Sequence, residues 1–246
     1  MLSRKRKSPK RVIFASVCPC FPLFAQQGHS VPFVGCKSDG QQGPVDAPHG
    51  ESKVVPVTAQ AAQRLAWYQA DPGLGVLAPR GWHCFGLYGS AAVNLYVSPE
   101  PFAAEKPDWR GFSGPAIELS NFDGETSGRF EVASTIARVF PAHTAFVREV
   151  EQLFDFWRPE SSAPYPTDKL TYKSKEVVEY ETPAQTQGLG TQFRLGKSAG
   201  SIRGVAILAG DAPSLLQLSV RLPRGLDSLT PVIIRQVERD AAAQRY

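Results

Sequence analysis

The chain has 246 residues, 27 of them basic and 23 acidic, for a formal net charge of +4. Six of the basic residues, Arg4, Lys5, Arg6, Lys7, Lys10 and Arg11, precede Val12, and every acid follows Ala25, so the remainder carries 21 basic against 23 acidic side chains. A sequence pI near 8.9 therefore makes no case for a nucleic-acid partner or an anionic membrane surface.

The basic opening is followed by Val12 to Ala25, a run without charge. Residues 1–25 read as the charged n-region and short apolar h-region of a secretory signal peptide, with cleavage after Ala25. Pro19 and Pro22 weaken the apolar run, and Leu23 is larger than processing prefers at its position, so an uncleaved start is the alternative. No later stretch is long and uncharged enough for a transmembrane helix. The expected location is periplasmic or secreted.

Cys18 and Cys20 fall within the signal, which leaves Cys36 and Cys84. In an oxidising compartment two such cysteines pair by default, so a Cys36–Cys84 bridge is expected, pinning an N-terminal arm to a central hairpin. Phe33-Val34-Gly35 before Cys36 gives a lipoprotein-like alternative, although Gln26 to Ser30 separate that cysteine from the apolar run.

Residues 26–57 are rich in Gly, Pro, Asp and Gln without sustained periodicity, and read as an extended arm. Residues 58–246 read as a single domain; the roughly 220 residues beyond the signal suffice for one core. Thr58 is an N-cap for a helix from Ala59 to about Ala70, ended by Asp71-Pro72-Gly73. Pro79 and Gly81 then lead into a strand from Trp82 to Tyr88. A second strand pairs with it, Val93, Leu95 and Val97 on one face and Asn94, Tyr96 and Ser98 on the other.

The segments Phe33-Val34-Gly35-Cys36-Lys37-Ser38-Asp39-Gly40-Gln41 with Gly43-Pro44, and Ala78-Pro79-Arg80-Gly81-Trp82-His83-Cys84-Phe85 with Tyr88-Gly89-Ser90, resemble a group of uncharacterised exported bacterial proteins. The resemblance implies export and a paired cysteine. It implies no activity.

Residues 102–114 form a loop with Trp109 and Phe112, followed by a short strand over Ala116 to Leu119. A helix capped by Thr126 or Ser127 carries Phe130, Ala133, Ile136, Ala137 and Phe140 at helical spacing, and Pro141 ends it. A second runs from about Ala142 to Trp157 with Phe146, Val150, Leu153, Phe154 and Trp157 as its stripe. Alternation at Leu170 and Tyr172, and at Val178 and Tyr180, predicts strands, as do Ser201 to Leu208 and Leu215 to Leu222. The last helix has Thr230 as cap and Pro231 at its first position. The predicted fold is α+β, a mainly antiparallel sheet with about four helices.

Chemistry-bearing motifs are sparse. His83 adjoins Cys84, but neighbours in a strand point to opposite faces, so His83 does not serve that thiol. His29, His49, His83 and His143 are scattered without metal-ligand spacing. Gly196-Lys197-Ser198 lacks the upstream glycine of a phosphate loop, Thr191 standing there instead. Asp123 with Glu125, and Glu179 with Glu181, read as solvated pairs. The expectation is no catalytic residue, no metal and no cofactor. The expected role is an envelope module that binds a protein partner or a small ligand through Trp109, Arg110, Phe112 and His83. The alternative is a hydrolase in which the fold brings His83 or His143 to a carboxylate or hydroxyl.

Overall fold

A computed structural model describes residues 28–73, 75–102 and 111–243. The signal reading, over 1–25, lies outside them. In chain order come β1 (His29–Cys36), β2 (Ser38–Gly40), β3 (Ser52–Val55), α1 (Ala59–Arg64), β4 (Leu65–Ala70) and β5 (Gly75–Pro79). Strands β3, β1, β4 and β5 lie side by side in that order, β1 parallel to β4 and the other neighbours antiparallel.

The chain continues through β6 (His83–Tyr88), β7 (Ala92–Ser98), β8 (Ala116–Phe122), α2 (Arg129–Val139), α3 (Thr144–Leu153), β9 (Lys169–Tyr172), β10 (Val177–Thr182), β11 (Ile202–Ala209), β12 (Ser214–Arg221) and α4 (Thr230–Ala243). A second sheet takes eight strands in the order β2-β6-β7-β8-β12-β11-β10-β9, antiparallel throughout except between β2 and β6. The architecture is α+β with mostly antiparallel sheets and four α-helices. Among the described residues no helix is long and apolar enough to cross a membrane.

Period-two alternation gives the large sheet two different faces. Leu95, Val97, Ile117, Leu119, Val205, Ile207, Leu218 and Val220 face the small sheet and α4, forming the main core with Leu65, Trp67, Val76 and Leu77. Helix α4 adds Ile233, Ile234 and Val237, and full burial of each such side chain stabilises by about 1.5–3 kcal/mol. The opposite face carries α2 and α3 over Phe122, Val178, Tyr180, Ala206, Leu208 and Leu215.

Cys36 and Cys84 form a disulfide with Cα atoms 5.3 Å apart, joining β1 of the small sheet to β6 of the large one. The N-terminal arm goes further than an ordered extension. Its strand β1 is an inner strand, hydrogen-bonded to β3 on one side and β4 on the other.

The helix expected over Ala59 to Ala70 stops at Arg64, where Leu65 turns to extended geometry (φ −110°, ψ 152°). Thr58 does cap it, its hydroxyl accepting from the Ala61 N–H at 3.2 Å. Leu65-Ala66-Trp67-Tyr68 is a short run apolar at every position, and between β1 and β5 such a run buries both faces as a strand. The N-cap of α2 is Gly128, one or two residues later than the expected Ser127 or Thr126. A Cβ on Gly128 would stand 2.1 Å from the Ala91 carbonyl oxygen, so Thr126 and Ser127 give way to a residue that admits the β6–β7 turn. The helix expected to reach Trp157 becomes a 3-10 turn (Pro141–His143) and α3, leaving Leu153 62% exposed. Phe154 and Trp157 fold back onto Phe130 instead, with ring centroids 5.2 and 5.7 Å away.

Candidate functional site

On the helix-covered face of the large sheet, the central strands carry polar side chains where the other face carries core. Register sets Tyr96 of β7 opposite Glu118 of β8, and Ser219 of β12 opposite Glu118 on its other side. Asn94, Ser120 and Gln217 form the adjacent row. Ser120, Gln217 and Ser219 are buried, as are Tyr96 and Glu118, at 5% and 2% exposure.

The segment after a short turn at Leu189–Thr191 closes over this row. The Arg194 N–H donates to Glu118 Oε2 at 3.0 Å, and the Arg194 guanidinium hydrogen-bonds Tyr96. Glu118 Oε1 is buried and has no protein hydrogen-bond partner. Burial pushes the Glu118 carboxyl up to about 7, against the opposing pull of the Arg194 and Leu195 N–H groups and the Arg194 charge. Burial, reinforced by the Glu118 charge, raises Tyr96 well above the ordinary phenol range.

Behind the row, Tyr180 of β10 places its hydroxyl 2.7 Å from Ser219 Oγ and donates to the Leu218 carbonyl at 2.8 Å. Gly204 makes room for this, since a Cβ there would fall 2.5 Å from the Tyr180 hydroxyl. Arg221 gives its guanidinium to the carbonyls of Gly114, Gly196 and Phe112, at 2.8, 2.7 and 2.5 Å, tying both flanking loops to the sheet. The polar face is thus held in one geometry by groups that are themselves satisfied.

Glu118 and Tyr96 line a cavity of about 670 Å³, within the range usual for small-molecule sites. Phe122 and Phe193, with ring centroids 4.6 Å apart, form one wall, and Leu87 and Tyr88 contribute to the other. The mouth is tied across three elements. Tyr88 donates to the Gly43 carbonyl at 2.5 Å, Gln41 Nε2 to Ser90 Oγ at 3.3 Å, and Ser90 meets Ser127 at 3.2 Å.

The residues singled out from sequence lie mostly elsewhere. Phe112 supports the site from behind, its ring 5.7 Å from Tyr96 and its backbone bridged to Leu195. Trp109 and Arg110 lie outside the described residues. His83 is exposed on β6, opposite Ser98, and His143 packs on Phe140 in the turn before α3. Neither histidine lines the cavity. Among the described residues no three His, Cys, Asp or Glu side chains gather as a metal site.

Glu118 was missed because one carboxylate in a predicted strand carries no motif. A signal exists in the alternation itself: Asn94 and Tyr96, Glu118 and Ser120, and Gln217 and Ser219 repeat one polar pattern in three strands. Once helices cover that face the pattern means buried polar groups. No family model, no curated protein and no solved structure matches this chain.

Proposed function

We propose that this is an exported, envelope-located binding module that holds a small ligand in the cavity over Glu118. The observation that carries the reading is Glu118, a cavity-lining carboxylate whose Oε1 is buried without a hydrogen-bond partner. An unmet buried acceptor costs about 1–3 kcal/mol, and more when charged, a cost that a bound ligand removes. Binding is favoured over hydrolysis because, among the described residues, the lining holds no nucleophile paired with a base. Ser90 is already hydrogen-bonded to Gln41 and Ser127, and the raised Tyr96 stays neutral at ordinary pH. The basic and then uncharged opening, the disulfide and the resemblance to exported bacterial proteins support the location.

A crystallographic fragment screen on the disulfide-intact protein tests the site. Fragments are expected to seat with a donor on the Glu118 carboxyl group. Fragments that collect elsewhere and leave this cavity empty overturn the reading.

A further inference from the structure

We infer that the cavity takes an organic cation, its ammonium group set against the Glu118 carboxylate and its hydrocarbon part among Tyr88, Tyr96, Phe122 and Phe193. The inference rests on the cavity being the ligand site and adds the charge class of what enters it.

Three features of the lining select that class. Glu118 Oε2 is occupied by the Arg194 N–H, so what remains is a single carboxylate oxygen, and its ionised form can only accept. The strongest complement to a desolvated carboxylate is a donor that brings its own positive charge. Second, four of the lining side chains are aromatic, and their ring faces attract cations while burying the hydrocarbon attached to them. Third, among the described residues the lining holds two carboxylates, Glu118 and Asp39, against one guanidinium, that of Arg194. The Arg194 side chain is engaged with Tyr96, so the excess charge a ligand meets is negative.

A metal ion fits less well, since among the described residues no three His, Cys, Asp or Glu side chains gather there. A cavity of about 670 Å³ with apolar walls also exceeds what a bare ion fills.

Cation affinity then follows the ionisation of Glu118. The groups facing it are Tyr96 from β7, Tyr180 from β10 and Arg194 from the covering segment, with Asp39 and Tyr88 at the mouth. Arg221 of β12 is on the same face, committed to its three carbonyls. Burial holds both tyrosines neutral at ordinary pH, so the step near pH 7 belongs to Glu118. Affinity for a permanent cation falls roughly tenfold between pH 8 and pH 6 as that carboxylate takes up a proton.

Benzylammonium, benzyl alcohol and benzoate share one ring and differ in charge, and calorimetric titration of each against the full protein at pH 6 and pH 8 decides the matter. Expected at pH 8 is benzylammonium binding at least about tenfold more tightly than the alcohol, with benzoate weakest. Glu118→Gln, which keeps an acceptor for the Arg194 N–H, should remove that preference. The wild-type pH dependence gives an independent readout should the variant fold poorly. Equal affinity for the amine and the alcohol, or no change between pH 6 and pH 8, overturns the inference. Benzoate binding tightest reassigns the cavity to anions through Arg194; that overturns the cation class while leaving the ligand site standing. A cavity that takes no probe of any charge, in titration or fragment screen, overturns both.

Discussion

At the scale of single residues, Glu118 dominates because it is a carboxylate held where the charged form is poorly solvated. Its native pKa of about 7 lies above the 4.5 of an ordinary glutamate. Between those values the folded protein binds more protons at this position than the unfolded chain. The stability Glu118 contributes is therefore complete below about pH 4.5 and is lost as pH rises to 7, by on the order of 3 kcal/mol. Asp168, Glu131, Glu238 and Asp240 are also raised by burial and tilt stability in the same direction, so the contribution is isolated by difference. Urea unfolding of wild type and Glu118→Gln from pH 4.5 to 8 should show the variant gaining relative to wild type across that window. A difference independent of pH would refute the assignment.

At the scale of elements, the small sheet shows how side chains outside the site fix the strands that build it. Tyr68 of β4 is fully buried, donates its hydroxyl proton to the Pro79 carbonyl at 2.7 Å and accepts from the Trp82 N–H at 3.1 Å. It therefore anchors the passage from β5 into β6, the strand that supplies Leu87 and Tyr88 to the cavity. Tyr68→Phe leaves both backbone groups without that partner and should cost about 1–3 kcal/mol in chemical denaturation. A neutral substitution would mean that the passage is held by strand pairing alone. The same strand marks where sequence reading failed. Thr58 correctly announces a helix, but the apolar residues that follow fit a helix stripe and a doubly buried strand equally well, and the decision rests with β1 and β5 on either side.

At the scale of the molecule, the Cys36–Cys84 bridge crosses between the two sheets and closes a sequence separation of 48 residues. A loop of that length restricts the unfolded chain by about 4 kcal/mol in the entropy model. The paired replacement of Cys36 and Cys84 by serine should lower the unfolding free energy by about that amount. A loss below about 1 kcal/mol would mean that the unfolded chain already retains structure between the two cysteines. Intact mass with and without reduction reports the bridge directly, because thiol alkylation of Cys84 before reduction is incompatible with it.

Local sequence signals were enough for the α+β class, the pairing of the two cysteines, the β6–β7 hairpin and the β11–β12 hairpin. Each of these depends on local periodicity, on a turn signal or on the small number of cysteines. Thr230, expected as the cap of the last helix, is instead its first helical residue. Only tertiary contacts place β1 and β4 as inner strands of one sheet, end α3 at Leu153 and bury Glu118. A strand records which residues share a face, but whether water reaches that face is settled by segments far along the chain. Glu118 becomes a buried, half-satisfied carboxylate only when Arg194, 76 residues later, folds back over it.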